Sequence, residues 1–170
     1  MPIINPGPAR GWICRKILGY DRWIPSVLMM THYLPDDPTG SQLINLASLV
    51  LGQNGIWGDL PGVSEEGVKL FGEVLAVYKQ VRDDVTAADP VVYGSPGDLF
   101  EVHEKINGAT GRGLVSLFTG VGGTFRYRMT AQPAGRPVIF GNAEITDGDN
   151  GTAIELKADG AEAAIVFFTE

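Results

Sequence analysis

The spacing of apolar residues changes once along this chain, near residue 90, and that change limits the folds open to it. Upstream, short apolar runs alternate with segments in which apolar residues recur at helical intervals. From Val91 onward the interval is two. Helical spacing marks one buried face of a helix, and strict alternation marks a half-buried strand. A chain that reads as strand–helix units and then as strands alone is an α+β protein with its two patterns segregated. At 170 residues it holds one good core or two small ones.

The downstream part, 91–170, reads as an antiparallel β-sandwich. Its expected strands are Phe100–Asn107, Gly113–Thr119, Gly123–Thr130, Pro137–Phe140, Ala143–Ile145, Thr152–Lys157 and Ala163–Thr169. The breaks between them, NGATGRG, GVGG, PAGRP and TDGDNG, are rich in residues that turn the backbone. The glycine clusters lack the strand-before, helix-after setting of a phosphate loop, so they read as hairpin turns.

The middle part, 23–90, reads as two strand–helix units. An apolar strand, Ser26–Tyr33, runs into a polar cluster of His32, Tyr33, Asp36 and Asp37. Its unbroken apolar character suits a parallel strand covered on both faces. A helix opens at Gly40-Ser41, with Ser41 as its expected cap, and carries Leu43, Leu46, Ala47 and Val50 on one face. Gly52 and Gly55 end it. A short second strand, Gly55–Leu60, contains Trp57, Gly58 and Asp59. Polar and aromatic residues just past strand ends are where a parallel α/β barrel places its binding site, yet two units cannot close a barrel. Ser64 then caps the strongest helix. Glu65 and Glu66 in its first turn suit the helix dipole, and Val68, Phe71, Val74, Leu75, Tyr78 and Val81 form the expected buried stripe. Glu65 and Lys69 are spaced as an ion pair. Residues 1–22 are irregular, with at most a helical turn near Cys14–Leu18.

Composition removes several classes of function. A net charge of −7 argues against nucleic acid as a partner, because phosphate binding needs clustered Lys and Arg. One cysteine, Cys14, leaves no internal disulfide and no cysteine metal cluster. The prolines and glycine of MPIINPGPARG do not make the apolar centre of a signal peptide. No apolar run nears the roughly 20 residues of a membrane span. The expectation is a soluble chain with no membrane partner and no cofactor.

The chemical candidates each carry two readings. Asp36 and Asp37, in Pro-Asp-Asp-Pro, read as a turn in which carboxylates accept from nearby N–H groups, or as contacts at the rim of a substrate site. His32 at a strand end reads as a ligand to a substrate hydroxyl, or as a structural histidine bonded to a carbonyl. Tyr33 and Trp57 suit the apolar face of a sugar ring or ordinary packing. Asp59 can accept a hydroxyl or cap the following helical turn. In EVHEKIN, Glu101 and His103 alternate onto one strand face with Glu104 on the other. Two ligands make a poor metal site, so this segment is expected to be a solvated face. With two histidines and no nucleophile elbow, no Ser/His/Asp triad can be assembled.

The order of strand, THYLPDD, helix, GxxWGDL, long helix ending in Tyr78-Lys79-Gln80-Val81-Arg82, and β-domain resembles the C-terminal part of α-galactosidase-like (melibiase) glycoside hydrolases of families 27 and 36. The likeness covers about residues 20–170, and Met30-Thr31-His32 stands where that family has a small residue before a strand-end histidine. The resemblance implies a partial (β/α) barrel remnant, its last two strand–helix units, followed by an antiparallel β-sandwich. Ser26–Tyr33 would be the seventh barrel strand and Gly55–Leu60 the eighth. The family's two catalytic aspartates sit after the fourth and sixth strands, so both would lie upstream of Met1. A whole barrel takes about 250 residues, more than this chain has. The resemblance therefore implies no catalytic residue here, substrate contacts from His32, Tyr33, Asp36, Asp37, Trp57 and Asp59, and carbohydrate as partner through the complete enzyme. The alternative is a non-catalytic sandwich module, a buttress or weak carbohydrate binder. Two strands without their barrel neighbours leave edges and apolar helix faces open. The chain is thus expected to self-associate, swap segments, or lay its α/β part over the sandwich.

Overall fold

The computed structural model of the protein describes residues 15–24, 28–33, 39–56, 60–149 and 151–170. After a 3₁₀ turn at Lys16–Tyr20 come β1 (Met30–Tyr33), α1 (Thr39–Leu49), β2 (Gln53–Ile56), a 3₁₀ turn at Leu60–Gly62 and α2 (Glu65–Ala87). Eight strands follow: β3 (Val91–Tyr93), β4 (Phe100–Ile106), β5 (Gly113–Thr119), β6 (Gly123–Arg128), β7 (Arg136–Phe140), β8 (Ala143–Gly148), β9 (Gly151–Ala158) and β10 (Glu162–Thr169).

These eight form two antiparallel sheets, one of five strands in the order β3-β4-β5-β10-β7 and one of three in the order β6-β9-β8. They pack face to face through Val102, Val115, Leu117, Val166 and Phe168 on one side and Tyr127, Ile154 and Leu156 on the other. The second face of the five-stranded sheet is also covered. There Leu114, Phe118, Ile165 and Phe167 meet Leu46 of α1, Val50 just past its end, and Val74, Val81 and Val85 of α2. Hence β5 is buried at all seven positions and β10 at seven of its eight. The sandwich expected for 91–170 is present, with a third layer of helix laid over it. Of the outcomes expected for the α/β part, covering the sandwich is the one observed.

β1 and β2 pair in parallel, Met30 opposite Gln53 and Tyr33 opposite Ile56. The connection between them is α1, the crossover that a parallel pair requires. Both strands differ from their expected limits. β1 starts at Met30, not Ser26. β2, described over Gln53–Ile56, starts two residues before the expected Gly55, and residues 57–59 of the expected strand lie outside the described residues. The reason lies at Gly52, where a Cβ would come within 2.4 Å of Met29 O. This close approach brings Gln53 N to Met29 O at 2.8 Å and starts the pairing there. Helix α1 begins two residues before Ser41, which lies inside it.

In α2 the Ser64 cap is as expected, its Oγ accepting from Gly67 N at 3.1 Å. The helix stops at Ala87, and Ala88 is extended ahead of Asp89-Pro90. The stripe is different. Val68 is 56% exposed, and the fully buried positions are Gly67, Val74, Val81 and Val85. The first turn overhangs the sheet, and the later turns sit on it. Lys69 meets Glu73 at 3.9 Å instead of Glu65. The last turns of α2 are tied to the β4–β5 hairpin by Asp84, which accepts from Asn107 Nδ2 at 3.0 Å and Thr110 Oγ1 at 2.7 Å. In that hairpin Gly113 has φ +146°, and a Cβ there would lie 2.0 Å from Lys105 O.

Because Phe167 fills the helix-facing core, Phe167→Ala is expected to cost about 3–5 kcal/mol. Val68→Lys, on the overhanging turn, should change stability by less than about 0.5 kcal/mol. Denaturant unfolding of both variants checks the placement of the stripe.

Candidate functional site

Strand β4 has the sequence FEVHEKI and alternates strictly. Val102, Glu104 and Ile106 belong to the sandwich side. Glu101, His103 and Lys105 point the other way, toward the residues around 15–21 and 48–51. Each of those three is at most 2% exposed. The solvated face expected for this segment is therefore corrected. One face of β4 packs in the sandwich and the other lies under the N-terminal layer, from which Glu101 and Lys105 draw their partners.

The matching is specific. Arg15 donates from Nε and Nη2 to the two oxygens of Glu101, at 2.9 and 2.8 Å, and from Nη1 to Ser48 Oγ at 3.1 Å. Its guanidinium carbon lies 3.6 Å from the centre of the Phe118 ring, which adds a cation–π attraction. His103 Nε2 is 2.6 Å from Glu101 Oε1, and the His103 ring meets Phe118 edge-on. Lys105 Nζ donates to Leu51 O at 3.0 Å and forms an ion pair with Asp21. Arg15 and Asp21 are themselves 4% and 7% exposed.

These contacts set the protonation states. Burial opposes ionisation of Glu101, but the hydrogen bonds and charges of His103 and Arg15 outweigh it and hold the carboxyl at about 2. Burial pushes His103 down, against the pull of Glu101. A carboxylate only accepts, so the neutral imidazole carries its proton on Nε2. Among the described residues, Nδ1 has no hydrogen-bond partner. Burial likewise lowers Lys105, opposed by Asp21. On the sandwich side, Glu104 accepts from Tyr127 Oη at 2.9 Å, Thr130 N at 2.9 Å and Ala131 N at 2.6 Å, fastening the end of β6. Burial is the main cause that raises Tyr127 to about 12.

The sequence-based site lies elsewhere. The backbones of His32 and Tyr33 in β1 lie opposite those of Gly55 and Ile56 in β2. Asp36, Asp37, Trp57 and Asp59, and the side chains of His32 and Tyr33, lie outside the described residues. The buried cluster was missed because alternating charges on a strand ordinarily mean solvent. The available signal was complementarity, with Arg15, Lys16 and Asp21 preceding a strand rich in Glu, His and Lys. Among the described residues, no three His, Cys, Asp or Glu side chains are grouped to hold a metal, and no helix is long and apolar enough to cross a membrane.

The cluster makes stability pH-dependent. The unfolded chain protonates His103 near 6.5 and the folded chain resists, so stability present above that pH declines below it. Glu101 contributes stability in full above 4.5, and this is lost as pH falls toward about 2. Unfolding measured from pH 7 to pH 3 should show both declines, and His103→Phe should remove the upper one. At pH 7, Glu101→Gln strips Arg15 of its bidentate counter-charge and should cost about 3–5 kcal/mol.

No protein-family model matches the sequence, and no curated protein matches it. Solved structures do. An α-galactosidase of glycoside hydrolase family 36 from Geobacillus stearothermophilus, in complex with raffinose, aligns with 98% of this chain at TM-score 0.69 and 15% identity. The galactosidase domain of an α-galactosidase–sucrose kinase aligns with 98% at TM-score 0.64 and 16% identity. The α-galactosidase from Lactobacillus brevis aligns with 86% at TM-score 0.60 and 12% identity. The chain spans only about a quarter of their length, 25%, 25% and 23% respectively. At this identity the likeness is one of fold, that of a C-terminal α-galactosidase-like domain.

Proposed function

We propose that this chain is the C-terminal part of a retaining glycoside hydrolase of α-galactosidase type and is inactive by itself. The observation that carries this is the parallel β1–β2 pair, joined through α1 and laid with α2 on an antiparallel sandwich. That arrangement accompanies a fold likeness spanning 98% of the chain. On this reading β1 and β2 are the closing strands of the catalytic barrel. Retaining cleavage needs two carboxyl groups about 5 Å apart across the anomeric carbon, and both belong to barrel strands that precede this segment. His32, Tyr33, Asp36, Asp37, Trp57 and Asp59 follow or end the two closing strands and form part of the sugar pocket in the complete enzyme.

The five-stranded sheet then acts as a buttress. Its helix-facing side fixes α1 and α2, and through them the positions of β1 and β2. A second reading, that the sandwich is an accessory carbohydrate-binding module, differs in requiring sugar affinity from the isolated chain.

Assayed alone against a chromogenic α-galactoside, the chain should give no turnover above background. Robust hydrolysis would overturn the assignment of the acids to upstream strands. The N-terminal layer bears exposed Trp23, Leu28, Met30 and Ile56, so the isolated chain should also self-associate. Light scattering after size exclusion is expected to give a mass that rises with concentration, and a monomer at all concentrations would count against open strand edges.

A further inference from the structure

Residues 16–24 cover part of β4 without joining a sheet. Among the described residues, their backbone hydrogen bonds stay inside the turn: Asp21 N donates to Leu18 O at 3.0 Å, and Trp23 N and Ile24 N donate to Tyr20 O at 2.8 and 2.9 Å. Of the described apolar side chains in the turn, Leu18 is buried, whereas Tyr20, Trp23 and Ile24 are 61%, 80% and 41% exposed. Little apolar area holds the turn down, and segments with few buried apolar contacts open at low cost. Its two polar anchors are unequal. Arg15 makes three hydrogen bonds to Glu101 and Ser48, and its guanidinium lies over the Phe118 ring. Asp21 forms an ion pair with Lys105, whose Nζ keeps a second acceptor in Leu51 O. The Arg15 end is therefore a hinge and the Asp21 end a latch.

Behind the latch the packing is incomplete. A cavity of about 310 Å³ lies between residues 18–23 and 90–96, with His103 on its wall. Lifting the turn floods this space, and His103, 2% exposed, is sealed from water until then. Around His103 stand Glu101 and Lys105 of β4 and Arg15, with Asp21 and Arg22 lining the same cavity. Its partners across the sheet, Val92 of β3 and Ser116 of β5, do not titrate. Burial holds the closed imidazole below its usual range, opposed by Glu101 and aided by the cations Arg15 and Lys105. Once solvated, the ring takes a proton at its ordinary pH. None of this rests on reading the chain as part of a glycosidase.

We propose that residues 16–24 form an acid-opened strap, which pivots at Arg15 and lifts from β4 as a unit, admitting water to His103 while both sheets stay paired. Each opening takes up a proton at His103, so the open fraction rises by up to about tenfold per pH unit below 6.5. The test is amide hydrogen exchange, followed by NMR on the full chain at pH 7, 6 and 5, with each rate divided by that of unstructured peptide at the same pH. Asp21, Trp23 and Ile24 report the strap, and Leu117 and Val166, in central strands, report global unfolding. The strap amides should open at least about tenfold more often than the strand amides, and about three- to tenfold more often with each pH unit lost. Asp21→Asn leaves Lys105 without its counter-charge and should raise strap opening at pH 7 at least about fivefold. His103→Phe should remove the pH dependence. If that variant does not fold, the profile of the unaltered chain decides alone. Strap amides exchanging in step with Leu117 and Val166 would mean that the turn leaves only when everything unfolds. Fast exchange indifferent to pH would mean fraying that never uncovers His103. Either result overturns the proposal, as would a pH dependence that survives in His103→Phe.

Discussion

The arrangement of this protein depends on charges that cannot stay buried unless two separate parts of the chain meet. Glu101, His103 and Lys105 lie buried on an inner strand, and the partners of Glu101 and Lys105 across the layers, Arg15, Asp21 and Leu51 O, all come from the N-terminal layer. Each side without the other would hold uncompensated charge in an apolar setting, at a cost of several kcal/mol per ion. Apolar packing of α1 and α2 supplies attraction between the layers but little discrimination among ways of placing them. The bidentate Arg15–Glu101 contact has one geometry, and it fixes the register of the N-terminal layer on the sheet. Such a cluster adds less to net stability than its number of contacts suggests, because desolvation offsets much of the gain. Its larger effect is to make alternative placements unfavourable.

The same cluster sets the protonation of His103. Glu101 is held as an anion by Arg15 and so fixes the imidazole tautomer, with the proton on Nε2. His103 also lines a cavity of about 310 Å³ beside the turn at 18–23. The mouth of that cavity is formed by residues 18–23, which the Lys105–Asp21 pair anchors. Loss of the ionic clamp would therefore disturb the cavity even where the sandwich itself stayed folded.

Much of the architecture could be read from residue patterns, and the failures have physical causes. The strand Gly113–Thr119 and the Ser64 cap were legible because turn glycines and a capping hydroxyl act locally. The three-residue β3 was not, since Val91–Tyr93 has no pattern of its own and is a strand only because β4 pairs with it. The limits of β2 depended on Gly52 touching Met29 O, a contact between residues 23 apart in sequence. Val68 broke the stripe because amphipathic spacing identifies a face but not where the partner surface ends. The Glu101–His103–Lys105 row was misread because solvent and a complementary layer demand the same alternation of charge. For the strand-end site, the backbones of His32 and Tyr33 pair with Gly55 and Ile56, and the other expected site residues lie outside the described residues.

The position of β10 has a consequence for how the protein is made. This strand follows all the others in chain order yet lies between β5 and β7, and it contributes Ile165 and Phe167 to one core and Ala164, Val166 and Phe168 to the other. While the ribosome is still translating residues before 162, neither core can close. The helices and the small sheet must wait with their oily surfaces exposed. Pairings that span so much sequence are slow to form, and waiting chains with open strand edges are prone to aggregate. Nascent copies should therefore lean on chaperones until the final strand emerges and zips the layers together.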